Sequence, residues 1–304
     1  MYSFSTCWNS GRHADGRAML REIRELGFAY AELSHGIRVS LLPGIFEAVD
    51  AGEIKISTVH NFCPLPMGVT HAAPNLYEFS SEKPRDHDLV LRHTQKTLEM
   101  ATRVGASLVV LHFGSMDLKD YGGKLENMLA RGEKNTAKYD KLCAEAAKAR
   151  AAKKVRPFAL ACATLKLLLP EAEKRGLKFG IENREALNEL PVEGDFLTLV
   201  KELDSPAVVY WHDTGHAQVK ENLGFINQLA HLEAHAGHLA GFHIHDVQYP
   251  LRDHCMPGIG TVKFDVLAPL VKPHHIKVFE FSPSMPEAMA RSGIQHIKNL
   301  WGPE

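Results

Sequence analysis

The sequence predicts an α/β fold, a (β/α)8 barrel with its active site at the C-terminal face of the strands. Three observations predict it. Eight short apolar or β-branched runs recur along the 304 residues, segments of helical periodicity fill the intervals, and seven consecutive runs, the second to the eighth, finish on a carboxylate or an imidazole.

In chain order the runs are YSFSTC (2–7), FAYAEL (28–33), IKISTVH (54–60), SLVVLHF (107–113), LKFGIEN (177–183), AVVYWHD (207–213), LAGFHIH (239–245) and IKVFEF (276–281). Each is short, rich in Val, Ile, Phe or Tyr and bounded by turn formers, as buried parallel strands are. Between them, GRAMLREIRELG, DLVLRHTQKTLEMATRVG, FALACATLKLLLPEAEKRG and GFINQLAHLEAHAG repeat apolar residues three and four apart, the helical period. Asp15 is placed to cap the first helix. Gly27, Gly105 and Gly176 stand just past helix ends, where a left-handed cap is expected. Two connections are longer: 61–85, rich in Pro and turn formers, reads as a loop over the barrel mouth, and 114–157 carries DKLCAEAAKARAAKKVR, which reads as a solvated helix. No linker or low-complexity tract interrupts the pattern, so one domain over 1–304 is expected.

Bulk composition excludes little but excludes it usefully. A net charge of -1 gives no global field to attract nucleic acid. No apolar run approaches the about 20 residues of a membrane span, and the N-terminus lacks a signal-like pattern, so a cytoplasmic protein is expected. Five scattered cysteines without a CxxC pair point to reduced thiols rather than a disulfide framework or a thiolate zinc site. Eighteen histidines are the unusual count.

The strand ends gather chemistry: Glu32, His60, His112, Glu182, Asp213, His243 with His245, and Glu280. A single such residue is ordinarily a satisfied polar group or a helix cap. Together at one barrel mouth, like-charged carboxylates repel and need protons or a cation to coexist. An oxygen-rich set with one imidazole suits Mn²⁺ most, with Mg²⁺, Co²⁺ or Zn²⁺ as alternatives. Carboxylates from the fifth and eighth strands would face each other across the mouth, where one can take a carbon-bound proton and the other return it while a metal stabilises the enediolate.

The motifs IENRE around Glu182, DTGHA around Asp213 and His216, FHIHD around His243, then HCMPGIG and FEF with Glu280, resemble the xylose isomerase-like TIM barrels. That family includes sugar isomerases, epimerases such as tagatose 3-epimerase, and endonuclease IV. The resemblance covers essentially the whole chain. It implies a divalent metal held by Glu182, Asp213, His243 and Glu280, with Glu182 and Glu280 as the acid/base pair. Within GFHIHD the family pattern His-x-x-Asp fits His243 with Asp246, leaving His245 as a supporting or substrate contact. His216 matches a position that hydrogen-bonds substrate, and His212 should face the other way. Arg252 is a loose match, since the family's Arg position here is Tyr249. Glu32, Trp8, His60 and His112 complete the expected substrate contacts; Trp8, Phe62 and Phe113 form either a pocket wall or core beneath the mouth.

A metal-dependent sugar isomerase or epimerase is the leading expectation, with β-elimination of a 3-keto-glycoside as a close variant. An endonuclease IV-like phosphodiesterase would use His60, His112 and His254 as further metal ligands, but the Asp-x-His pair it requires has Arg252 in place of Asp. A barrel without catalysis is the remaining alternative. A carbohydrate partner and a homo-oligomer are expected, with no nucleic acid and no membrane.

Overall fold

The computed structural model describes residues 1–303. Over these residues ten strands form: β1 (Tyr2–Ser5), β2 (Tyr30–Leu33), β3 (Lys55–His60), β4 (Leu108–Leu111), β5 (Lys178–Glu182), β6 (Val208–Asp213), β7 (Leu239–Ile244), β8 (Asp246–Gln248), β9 (Arg252–Cys255) and β10 (Ile276–Phe279). Eight of them, in the order β1-β10-β7-β6-β5-β4-β3-β2, close into a parallel barrel, and β8 pairs antiparallel with β9. All eight expected runs therefore become barrel strands. The hairpin is the addition: the segment read as a plain loop, VQYPLRDH, supplies most of β8 and β9.

Around the barrel run α1 (Gly16–Glu25), α2 (Leu42–Asp50), α3 (Pro84–Val104), α4 (Gly122–Ala130), α5 (Ala137–Lys153), α6 (Val155–Lys166), α7 (Leu169–Lys174), α8 (Asp195–Leu203), α9 (Thr214–Leu223), α10 (Gln228–His235), α11 (Phe264–Leu267) and α12 (Glu287–Trp301). Asp15 caps α1, its carboxylate accepting from Ala18 N at 2.7 Å, an interaction worth about 1 kcal/mol. Met19, Leu20 and Ile23 form the face that α1 buries. The single helix expected over 158–176 is two, because Pro170 lacks an amide hydrogen and falls in the first turn of α7 after a break at Leu167 and Leu168. The charged run is mostly exposed on α5 as expected, with one exception. Arg150 is buried, donating to Leu187 O at 2.8 Å and pairing with Glu193 at 2.8 Å. Residues 61–83 form the expected loop between β3 and α3. No described helix is long and apolar enough to cross a membrane.

Strand alternation sorts side chains between the barrel lumen and the helical layer. On β6, Trp211 packs with Leu108, Val110, Ile276 and Val278, while Tyr210 lies in the larger cluster with Phe196 of α8. Two glycines make room for Trp211. A Cβ on Gly241 would lie 2.5 Å from the indole and 2.5 Å from Ile276 O, and one on Gly180 would lie 3.3 Å from the Trp211 Cβ. Trp211 thus floors the lumen, with its ring edge-on to His243 at 5.2 Å.

Candidate active site

Above that floor the ends of four strands converge. Glu182, Asp213, His243 and Glu280 each offer a ligand atom, and these atoms all lie within 4.8 Å of one another. All four are buried, at 0–4% exposure. His243 Nδ1 lies 2.8 Å from Glu182 Oε1, 3.3 Å from Glu280 Oε2 and 3.9 Å from Asp213 Oδ2. Its other nitrogen, Nε2, lies 3.1 Å from both oxygens of Glu32, and Thr58 Oγ1 donates to Glu32 at 2.8 Å. A carboxylate behind an imidazole is the usual support of a metal-binding histidine: it accepts from Nε2–H and turns Nδ1 toward the cluster, where a cation would displace the Nδ1 proton. Glu32 therefore corrects the expectation that it reaches substrate. It lies behind His243, fully buried, with both oxygens engaged.

The charges explain the titration of these groups. Burial alone would neutralise His243, but Glu280, Glu32 and Glu182 outweigh it and hold the imidazole well above its ordinary range. Burial likewise opposes ionisation of Glu182, and the charges of His243 and Arg184 override it, holding the carboxyl well below the usual range. Three carboxylates converging on one imidazole, dry and with Glu32 behind, fit a hard divalent cation.

A second group adjoins the first through Glu182. His112 Nε2 lies 3.0 Å and His60 Nε2 3.7 Å from Glu182 Oε2. His60 Nδ1 donates to its neighbour's carbonyl, Asn61 O, at 2.9 Å, which turns Nε2 toward the carboxylate. Burial and the charge of Arg184 push His112 down to about 3.

His216 stands at the start of α9, its amide capped by Asp213 Oδ1 at 2.7 Å and its ring 3.7 Å from Glu182 Oε1. His245 is not in the four-residue cluster. It contacts Asp213 Oδ1 at 2.9 Å through Nε2, while its Nδ1 accepts from His254 N at 2.9 Å. Both nitrogens are taken, which makes it the support for Asp213; burial lowers its pKa, but the Asp213 charge outweighs burial and pushes it up to about 9. Gly215 permits this approach, since a Cβ there would lie 2.0 Å from the His245 ring. His216, His245 and His254 lie together, as do His216, Glu185 and Asp253, so the neighbouring residue Asp253, rather than Arg252, brings a carboxylate to His216.

Two expected contacts, Arg252 and Trp8, are not brought in. Arg252 is exposed on β9. Trp8 is core: its indole donates to Met285 O at 2.8 Å and packs edge-on to Phe4. Phe62 and Phe113 are core too, against Tyr77 and Phe79 respectively. His212 faces away from the cluster, as expected, bonded to Tyr210 Oη at 2.9 Å.

Four more residues complete the site; beside the fifth strand, Arg184 and Asn183 read in the sequence equally as substrate contacts or as ordinary loop residues. Arg184 reaches Glu182 Oε2 at 2.9 Å and is clamped by Glu189 at 3.0 Å. Asn183 uses its side chain as a piece of sheet edge, accepting from Asp213 N at 2.7 Å and donating to Asp213 O at 2.9 Å. His35, past the end of β2, sets its ring edge-on to His60 at 4.8 Å. Asp246 accepts from Gly258 N, Gly260 N and Val262 N at 2.9–3.0 Å and so shapes the PGIG turn.

A family model, the xylose isomerase-like TIM barrel, matches residues 20–300. The chain belongs to that family. Similar solved structures include a D-tagatose 3-epimerase-like protein (18% identity, TM-score 0.68, 99% of this chain and 98% of that one). The 3-keto-D-glucoside 4-epimerase of E. coli is similar over 98% of both chains (14% identity, TM-score 0.67). The D-psicose 3-epimerase of Clostridium cellulolyticum is similar over 99% of both (12% identity, TM-score 0.66). No curated protein sequence matches the chain.

Proposed function

We propose that this family member is a divalent-metal-dependent sugar isomerase or epimerase that moves a proton on the carbon beside a carbonyl. The observation that carries the reading is the convergence of Glu182 and Glu280, from opposite parts of the sheet order, on one buried cluster with Asp213 and His243. Those four residues would hold the cation, most suitably Mn²⁺, with His60 and His112 available to a second. When bound, the metal would polarise the substrate carbonyl and stabilise negative charge on its oxygen.

The two glutamates divide the proton transfer unequally. Glu182 has its oxygens engaged by Arg184, His112 and His243 and is a weak base. Glu280 meets His243 through Oε2, and its Oε1 accepts no hydrogen bond among the described residues, which leaves a lone pair for a C–H proton. Glu280 takes the proton and the substrate passes through its enediolate form; Glu182, which must first take a proton from solvent, returns one on the opposite face beside Arg184, and the proton left on Glu280 passes to solvent. His216 and His112 would bind sugar hydroxyls. Solved relatives in fold act on ketoses and a 3-keto-glucoside, which supports a carbohydrate substrate.

The test is solvent exchange. Mn²⁺-loaded protein in D₂O is offered free ketoses, phosphorylated ketoses and 3-keto-glycosides, and deuterium incorporation is followed by NMR. Deuterium beside a carbonyl with an isomeric product supports the reading; deuterium with a released aglycone identifies the lyase variant. A second reading, phosphodiester hydrolysis, draws on the adjoining groups His60–His112–Glu182 and His216–His245–His254. No exchange by any member, with cleavage of abasic-site DNA, would replace the first reading with it.

A further inference from the structure

Beside the four-residue cluster, the same face of the barrel holds a cavity of about 450 Å³. Its walls are the loop 118–123 after β4, the loop 185–188 after β5, Val219 and Leu223 of α9, and Leu251 in the turn of the β8–β9 hairpin. Each of these stretches follows the C-terminal end of a barrel strand, so the cavity shares the mouth with the cluster. Two features join them. Glu185 lines the cavity and also brings its carboxylate within 4.8 Å of ligand atoms of His216 and Asp253. On α9, His216, Val219 and Leu223 stand at i, i+3 and i+7, so the helical face that presents His216 to the cluster continues as the cavity wall.

The volume is far larger than that of a water, about 30 Å³ in the liquid, and lies in the range of small-molecule sites. The walls select among small molecules. One side is apolar: Tyr121, Leu118 and Leu251 pack against the buried cluster that contains Leu187, Val219 and Leu223. The other side carries acceptors, the carboxyl groups of Asp120, Glu126 and Glu185 and the amide of Asn188. An aromatic ring beside a row of acceptors fits a sugar unit, whose C–H face packs on the ring while its hydroxyls donate to the oxygens. An anion fits poorly. Lys119 is the only cation on the walls among the described residues, and the N-terminus of α4, where a phosphate would sit, is taken by Asp120, whose Oδ1 accepts from Gly123 N at 2.8 Å.

We propose that this cavity is a second sugar subsite and that the substrate is a keto-sugar carrying a further neutral sugar unit. The keto unit lies over the cluster beside His216, and the second unit passes Glu185 to lie against Tyr121. The inference rests on the metal-dependent reading above for the first subsite, whereas the second can be read without turnover.

Asn188→Trp and Tyr121→Ala test it on the full-length, Mn²⁺-loaded protein. Asn188 is exposed, so the indole fills the cavity from its rim without entering the core, and Tyr121→Ala removes the ring. Solvent exchange is measured on the 3-keto derivatives of maltose, cellobiose and trehalose, on methyl 3-keto-glucoside and on ketose phosphates. One of the disaccharides is expected to exceed methyl 3-keto-glucoside in kcat/KM by about 10-fold, the remote unit contributing binding that the reacting unit lacks. Tyr121→Ala should lower that value about 3–10-fold, the size of one aromatic contact, and Asn188→Trp should abolish the advantage, with the methyl glycoside unchanged in both. Calorimetric titration with maltose, cellobiose, trehalose and glucose reads the subsite separately from the chemistry. Equal kcat/KM for one-unit and two-unit substrates, or a ketose phosphate preferred over both, overturns the proposal and leaves the metal-dependent reading intact. An advantage that survives Asn188→Trp overturns it too, since the second unit then lies elsewhere. No exchange on any member, with a disaccharide bound more tightly than glucose and the difference lost in Asn188→Trp, overturns the proton-transfer reading and supports the cavity as a sugar subsite; no exchange and no such difference overturns both.

Discussion

Mild acid should destabilise this protein in part through two histidines remote from the site. His231 on α10 donates to or accepts from Tyr210 Oη at 3.0 Å, and burial, then the nearby His235, pushes it down to about 3. His275, before β10, is 3% exposed, accepts from Lys272 N at 3.1 Å, and is pushed down to about 4 by burial and then by His274. In the unfolded chain both titrate near 6.5. The unfolded state therefore binds protons first as pH falls, so the stability present above 6.5 is lost between 6.5 and the folded values. At pH 5.5 each unfolded histidine is about ten-elevenths protonated while the folded one is almost wholly neutral, which costs about 1.4 kcal/mol per residue and about 3 kcal/mol for the pair. A domain has about 5–15 kcal/mol in total.

Urea unfolding of metal-free protein at pH 7.5 and 5.5 measures this loss, with His231→Asn/His275→Asn as the comparison. The asparagines do not titrate. The wild type should lose about 3 kcal/mol more between the two pH values than the double variant. Equal losses in the two proteins would refute the assignment of acid lability to these buried neutral rings, whatever the absolute stability of either.

Glu280→Gln should lower turnover on whichever substrate shows exchange by about 10²–10⁴-fold with little change in Mn²⁺-free stability, read from initial rates and urea midpoints. Chelator-stripped protein should gain about 2.7 kcal/mol of unfolding free energy on adding Mn²⁺ at a hundred times its Kd, and no shift in the thermal or urea midpoint would remove the metal from the site. Gly241→Ala should destabilise by about 1–3 kcal/mol, because its Cβ would meet Ile276 O and the Trp211 ring at 2.5 Å; an unchanged urea midpoint would show that the indole is not a tightly packed floor.

How much of this was legible depended on which physical signal each residue leaves. The eight barrel strands read clearly because each is a continuous apolar run: buried on both faces, a parallel strand has no polar side to blur it. The β8–β9 hairpin did not, since its residues, DVQ and RDHC, have no apolar alternation and are held instead by Asp246 gathering the turn amides that follow. The break between α6 and α7 was written as a proline in the middle of a helical pattern.

At the site, strand-end position selects what faces the mouth but not how deep it sits. Glu32 and Glu182 are both carboxylates near the end of a strand, yet Glu32 stands behind His243 and Glu182 in front, and the β2–β3 pairing shifts register between Ala31 and Glu32. No sequence period records such a shift. The sequence leaves Trp8 open between pocket wall and core for the related reason that an aromatic ring beside a mouth can turn down as easily as in, and here a carbonyl, Met285 O, holds it down. Supporting residues are the least legible of all. Glu189 and Arg184 form a chain of donors and acceptors ending on Glu182; Arg184 reads in the sequence equally as a substrate contact or an exposed loop residue, and Glu189 reads as an ordinary polar loop residue. Hydrogen-bonding roles in such a chain are fixed only by closure: the guanidinium of Arg184 can only donate, so Glu189 and Glu182 on either side of it both accept.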